Sequence, residues 1–73
     1  SMTAAAPVTA YVALGANLGD ARAAVGQALR DLDALPQTRL LRASPLYRSA
    51  PVESSGPDYI NAVAELQTAL SAQ

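Results

Sequence analysis

The chain has 73 residues, with no cysteine, no histidine and a formal net charge of −1. Disulfides and thiolate metal sites are therefore excluded, and the side chain that most often carries protons near neutral pH is absent. This length allows one small domain with a marginal core. All the basic residues are arginines spread along the chain, so the sequence predicts no nucleic-acid surface.

Residues 1–7 are not expected to belong to the fold. Ser1 before Met2 resembles the scar of a cleaved tag, and the alanine-rich stretch that follows resembles a loose N-terminus. This stretch lacks the charged region of a signal peptide, and the longest apolar run, Tyr11 to Leu14, is far too short to span a bilayer. We therefore expect a soluble, cytoplasmic protein without a membrane partner, in which residues 8–73 form the structured part.

The first half of the chain predicts a strand followed by a helix. Val8 to Leu14 is a nearly continuous apolar run, which favours a strand buried on both faces. The pattern breaks at Gly15, and Asp20 is a suitable N-cap for a helix that continues to about Leu35 and is ended by Pro36. Apolar residues at helical spacing indicate that one side of this helix packs: Ala21, Val25, Ala28, Leu29 and Leu32.

The second half predicts two further strands. Thr38 to Tyr47 is expected to be one strand, although Pro45 cannot donate to a ladder and favours an edge or a bulge. Arg48 to Asp58 is expected to be a loop, and Tyr59 to Leu66 alternates as a third strand. The result is an α+β fold with a mixed or antiparallel sheet, in which one helix covers one face of three strands.

Tyr59 and Asn61 are the candidate binding residues. Alternation along a strand places both side chains on one face, where a flat ring could stack on a planar heterocycle and the amide could match a donor and acceptor edge. The same pair is also compatible with a tyrosine that packs in the core and an amide that completes a turn. The two residues alone leave both interpretations open.

The carboxylates do not form a candidate catalytic pair. Asp20, Asp31, Asp33, Glu53, Asp58 and Glu65 show no paired spacing on a common strand face. Asp58 beside Pro57 is better explained as an acceptor in a turn.

Three segments in series resemble the N-terminal half of the 6-hydroxymethyl-7,8-dihydropterin pyrophosphokinases: Tyr11–Asp20, Ser44–Pro51 and Pro57–Val63. The resemblance implies a ferredoxin-like α+β fold, here a truncated βαββ unit. It also implies an enzyme of folate biosynthesis that transfers pyrophosphate from ATP to the hydroxymethyl group of a reduced pterin, with two magnesium ions.

The resemblance further implies roles for individual residues. Tyr59 would stack on the pterin and Asn61 would hydrogen-bond its polar edge. The loop carrying Ser49, Ala50 and Val52 would bracket the pterin with backbone groups, and the turn formed by Gly15, Ala16 and Asn17 would lie beside the pocket. The commoner residue at the position of Ala50 is proline.

By the same resemblance, the magnesium ligands and the nucleotide-binding residues lie beyond Gln73, so residues 8–73 are expected to be the N-terminal half of a single domain. We therefore expect this chain to be inactive alone. Because the helix covers one face of the sheet only, we also expect the edge of the third strand or the bare sheet face to be buried by another copy of the chain. The alternative is a small α+β ligand-sensing or interaction module that oligomerises through its open sheet.

Overall fold

One helix and four strands form an α+β fold. The computed structural model describes residues 6–53 and 55–70, in the order β1 (Val8–Ala16), α1 (Ala21–Asp33), β2 (Thr38–Ala43), β3 (Tyr47–Ser49) and β4 (Tyr59–Thr68). The proposed tag scar at Ser1 and Met2 lies outside the described residues. All three strand pairings are antiparallel, which confirms the predicted fold class.

The last strand, β4, lies at the centre of the sheet. It pairs with β1 along one edge and with β2 and β3 along the other. Since β1 and β2 both run antiparallel to β4, they run parallel to each other, and α1 connects them across the central strand. This arrangement is consistent with part of a ferredoxin-like fold.

Alternation along β4 divides the sheet into two faces. The even-numbered residues Ile60, Ala62, Ala64 and Leu66 are all buried. Val25 of α1 is 2 % exposed and packs in one apolar cluster with Ile60 and Ala62. Partly buried apolar residues surround this cluster: Leu14, Ala16, Ala21 and Leu29. Ala21, Val25 and Leu29 of the helical stripe predicted from the sequence therefore form the helix side of this cluster. The odd-numbered residues of β1 and β4 point away from α1, and we call this side the open face.

The expectation that the first strand is buried on both faces is wrong. β1 lies at the edge of the sheet, and its burial alternates along the strand. Val8 and Tyr11 are 57 % and 67 % exposed. An apolar run shows that both faces of a strand tolerate burial, but only the surrounding elements decide whether both are covered.

The single strand predicted from Thr38 to Tyr47 is two strands, and the sheet has four strands rather than three. Pro45 has no N–H group to donate, and the ladder stops on either side of it. Ser44 bridges the gap, because its N–H donates to the Val63 carbonyl at 2.8 Å and its Oγ accepts from the Val63 N–H at 2.9 Å. A register shift between Leu40 and Arg42 accompanies the interruption.

Helix α1 begins where the sequence predicts and ends slightly earlier. Asp20 is the N-cap, and its Oδ1 accepts from the backbone N–H of Ala23 at 3.1 Å. The last helical residue is Asp33, three positions before Pro36. In the described part of the chain, no helix has both the length and the apolar character needed to cross a bilayer.

We expect Ile60→Ala to lower the free energy of unfolding by about 2–4 kcal/mol, because it empties a site that is 4 % exposed beneath α1. Denaturant unfolding followed by circular dichroism measures the change. Val52→Ala is the control, since that side chain is 96 % exposed, and it should change stability by less than about 0.5 kcal/mol. Equal effects of the two substitutions would contradict the assignment of the core.

Candidate functional site

Four of the predicted site residues meet on the open face. Gly15 of β1 lies directly opposite Asn61 of β4, and Ser49 of β3 lies opposite Tyr59. Opposite residues of an antiparallel pair project to the same side, so the three strands bring these residues together from distant parts of the chain. The placement of Tyr59 and Asn61 on one face, predicted from alternation, is confirmed.

Asn61 is fixed by two hydrogen bonds to β3. Its Nδ2 donates to the backbone carbonyl of Tyr47 at 3.1 Å and to the Oγ of Ser49 at 2.8 Å. The amide nitrogen carries two hydrogens, so both are used inside the protein. The carbonyl oxygen Oδ1 is therefore the part of the amide that faces away from β3.

Gly15 leaves room beside both candidate binding side chains. A Cβ atom at this position would lie 3.1 Å from Oδ1 of Asn61 and 3.7 Å from Cδ1 of Tyr59. The first distance is shorter than an ordinary van der Waals contact, so a side chain at residue 15 would push the amide aside. The absence of a side chain keeps the space between the ring and the amide open.

Tyr59 does not pack in the hydrophobic core. It is 37 % exposed, and it lies on the face opposite α1. The interpretation of Tyr59 as a core ring is therefore not supported. Asn61, in contrast, does stabilise local structure through its contacts with β3. Within residues 6–53 and 55–70, those two contacts involve Nδ2 and leave Oδ1 without a hydrogen-bond donor.

The remaining predicted site residues surround the cluster without joining it through their side chains. Asn17 donates from Nδ2 to the carbonyl of Pro57 at 3.3 Å, which ties the turn after β1 to the segment before β4. Ala16 belongs to the opposite side of the sheet, where it packs against the core cluster. Ala50 is exposed and Val52 is 96 % exposed, so neither side chain is held against the cluster.

Sequence reasoning missed the contribution of Tyr47. Its carbonyl accepts from Asn61, and its half-exposed ring lies on the open face opposite that residue. The sequence placed Tyr47 at the end of a long second strand, so its partner on β4 was unknown. Pro45 is the sequence feature that could have indicated this partner. A proline interrupts the hydrogen-bonded ladder, so the residues after it can pair with β4 as a separate strand.

A second polar cluster lies further along the open face. Glu65 accepts from the hydroxyl of Tyr11 at 3.0 Å and forms an ion pair with Nε of Arg42. The hydrogen bonds from Arg42 and then Tyr11 lower the pKa of Glu65 below its ordinary value. The hydrogen bond to Glu65, reinforced by its negative charge, raises the pKa of Tyr11.

Two cavities lie on the described surface, and neither Tyr59 nor Asn61 lines either of them. One of about 250 Å³ lies on the open face beside the Glu65 cluster and Ser44. The other, of about 330 Å³, is apolar and lies on the helix side, lined by residues that include Val12, Leu32 and Leu66. Within residues 6–53 and 55–70, no group of three or more His, Cys, Asp or Glu side chains is arranged to hold a metal ion.

The fold and the cluster define a small α+β unit that presents an aromatic ring and a fixed amide on one sheet face. The family described as 7,8-dihydro-6-hydroxymethylpterin-pyrophosphokinase matches residues 11–73. The chain belongs to this family, as the sequence motifs predicted.

Relatives with the name 2-amino-4-hydroxy-6-hydroxymethyldihydropteridine pyrophosphokinase support the same assignment. The protein from Haemophilus influenzae is 42 % identical over 65 residues, which are 88 % of this chain and 41 % of that protein. The protein from Pseudomonas aeruginosa is 45 % identical over 62 residues, or 84 % of this chain and 38 % of the relative. The protein from Pseudomonas putida is 44 % identical over 64 residues, which are 88 % of this chain and 53 % of that protein. The chain thus spans between about two fifths and a half of the length of these relatives.

We expect Glu65→Gln to make stability less sensitive to acid. Because the folded-state pKa of Glu65 is lowered, its contribution is complete above the unfolded-state value of about 4.3 and is lost as the pH falls through the folded-state value. The stability difference between the wild type and the variant should therefore be constant near pH 6–7 and shrink below about pH 4. Urea unfolding across this pH range measures it.

Glu53→Gln is the matched control, since it makes the same charge change in an exposed loop. The pH dependence has the opposite direction for Tyr11, because its folded-state pKa is raised. Its contribution to the free energy of unfolding is complete below about pH 10 and is lost as the pH rises through the folded-state pKa. A wild-type to Glu65→Gln difference that is unchanged between neutral pH and pH 3 would contradict the role of this cluster.

Proposed function

We propose that this chain forms one side of the pterin site of an enzyme that transfers pyrophosphate from ATP to 6-hydroxymethyl-7,8-dihydropterin. The observation that carries the proposal is the convergence of Tyr59, Asn61, Ser49 and Gly15 on the open face of a chain that belongs to this family. In this proposal, residues 8–73 are the N-terminal half of one pyrophosphokinase domain, and the reaction takes place in the cytoplasm.

Each group of the cluster suits a planar, polar heterocycle. The Tyr59 ring supplies a stacking surface, and the Gly15 position leaves the ligand space beside it. Oδ1 of Asn61 accepts a hydrogen bond from an N–H group on the heterocycle edge. Backbone groups near Ser49, Ala50 and Val52 complete the recognition, and Asn17 holds the segment before β4 close to the turn after β1. A stacking surface beside a few precisely placed polar groups is how small-molecule sites commonly fix the orientation of a ligand.

The described residues do not fit a site for two magnesium ions. They contain no cluster of three candidate ligands, and the half-buried Glu65 is already committed to Arg42 and Tyr11. None of the described residues is therefore assigned as a magnesium ligand. In the proposal, the pterin is positioned by this chain, whereas the ATP and metal contacts are made by other residues.

An interaction module that oligomerises through its sheet was the alternative from the sequence. The family match favours the enzyme. No feature of the described residues favours a nucleic-acid or membrane partner.

The substitutions Asn61→Ala and Tyr59→Ala test the pterin site in the protein expressed from its complete coding region. Asn61→Ala leaves an N–H group of the ligand without an acceptor, at a cost of about 1–3 kcal/mol in binding free energy. Tyr59→Ala removes the stacking surface, at a cost of about 1–3 kcal/mol by analogy with base stacking on aromatic side chains. Calorimetry with 6-hydroxymethylpterin measures both losses, and ATP affinity without pterin should stay unchanged.

The chain offers matched controls for both substitutions. Gln67→Ala removes another exposed amide from the open face of β4, and Tyr11→Ala removes another exposed ring from that face. Both controls should leave pterin affinity unchanged. If Asn61→Ala and Tyr59→Ala kept affinity within twofold while lowering the melting temperature, the two residues would have structural roles only.

We expect the 73-residue chain alone to form no AMP from ATP, magnesium and 6-hydroxymethyl-7,8-dihydropterin. Transfer of a phosphoryl-type group depends on metal ions and cationic side chains that offset the charge on the phosphate oxygens. Chromatographic detection of AMP is the assay, with a full-length relative as the positive control. AMP formation by a sample whose intact mass matches this sequence would contradict the expectation.

We also expect the 73-residue chain to self-associate. The predicted route through an edge of the third predicted strand is wrong, because that strand is β4 and is paired on both sides. The outer edge of β1 and the open face remain as contact surfaces. Sedimentation at micromolar concentration should show dimers or larger species, which Ala13→Lys at an exposed open-face position of β1 should weaken and Val52→Lys in the loop should not. A monomer at every concentration would contradict this expectation.

A further inference from the structure

The orientation of the Asn61 amide is determined by its partners on β3. The backbone carbonyl of Tyr47 can only accept a hydrogen bond, so the amide atom 3.1 Å from it must be the nitrogen. This contact directs Oδ1 toward the side where Gly15 leaves space. Tyr47 thus decides which end of the amide meets the ligand.

Ser49 controls the second hydrogen of the same amide nitrogen. Its Oγ lies 2.8 Å from Nδ2, the shorter of the two contacts. A hydroxyl that accepts from Nδ2 keeps its own hydrogen available to donate. With both N–H groups occupied, Asn61 offers the ligand an acceptor and no donor.

β3 holds Ser49 in the required place. Ser49 pairs with Tyr59, the neighbour of Asn61 on the open face, so its hydroxyl reaches Asn61 along the diagonal between the two strands. The three residues of β3 pair only with β4 in the described structure, and Pro45 separates them from β2, which pairs further along the same edge of β4. The Ser49 contact is therefore independent of the remainder of the second predicted strand.

We propose that Ser49 is a positioning and specificity-determining residue, whose hydroxyl occupies the second N–H group of Asn61 so that the site selects ligand edges that carry hydrogen-bond donors. This inference rests on the proposed function. Without the hydroxyl, one N–H group of Asn61 faces the site and pairs with a ligand acceptor. Selectivity then falls, since a site discriminates strongly only when the wrong ligand leaves its polar groups unpaired.

Two ligands that differ at one edge test this selectivity in the protein expressed from its complete coding region. They are 6-hydroxymethylpterin and 6-hydroxymethyllumazine, in which a carbonyl oxygen replaces the 2-amino group and the neighbouring ring nitrogen N1 carries a hydrogen. The wild type should prefer the pterin, and Ser49→Ala should reduce the ratio of the two affinities by about tenfold, the equivalent of one hydrogen bond. Ser49→Thr keeps the hydroxyl and should restore the wild-type ratio.

A readout without ligand tests the contact itself in the 73-residue chain. In nuclear magnetic resonance spectra, both Asn61 side-chain amide protons should exchange slowly with solvent in the wild type and in Ser49→Thr. One of them should exchange about tenfold faster in Ser49→Ala, because a net hydrogen bond of about 1.4 kcal/mol is lost. Gly15→Ala adds a methyl group near Oδ1 and should weaken pterin binding without reducing the selectivity ratio.

The outcomes separate this inference from the proposed function. If the wild type binds neither ligand, both are overturned. If it binds the pterin but Ser49→Ala leaves the affinity ratio and the amide exchange unchanged, only the role of Ser49 is overturned. A purely structural role would weaken both ligands equally and lower the melting temperature, and this result would also contradict the inference.

Discussion

Hydrogen bonding of β4 along both of its edges is the constraint on which the rest of the structure depends. β1 pairs with one edge, β2 and β3 pair with the other, and the alternation of β4 then separates a helix face from an open face. A shift of one residue in this strand would place Ile60 on the open face and Asn61 beneath α1. Burial of Ile60, Ala62, Ala64 and Leu66 therefore also determines which side chains are available for binding.

The candidate site has few polar groups, and some of them also stabilise the sheet. Asn61 joins β4 to β3 with two side-chain hydrogen bonds and still presents an oxygen toward the Gly15 position. A side chain fixed in this way loses little further freedom on binding, which favours recognition by preorganisation. Tyr59 contributes in a different manner, because its exposed ring is free to stack and contributes little to the core.

Much of the fold and part of the site could be predicted. The helix stripe, the Asp20 cap and the shared face of Tyr59 and Asn61 follow from local periodicity and capping, which depend on neighbours in sequence. The edge position of β1 and the separate strand β3 could not be predicted, because they depend on which strands pair with β4. The same limit explains why Ala16 was grouped with the site although its side chain packs in the core.

The sequence by itself determined the family, since its three motifs occur in the required order, and it determined the alternation that places a ring and an amide on one face. Only the tertiary structure decided what surrounds them. Gly15, Ser49 and Asn61 are separated by 34 and 12 residues along the chain, and they meet because pairing with β4 brings β1 and β3 to its two edges. Contacts of this kind arise from strand register, and register is a property of the assembled sheet.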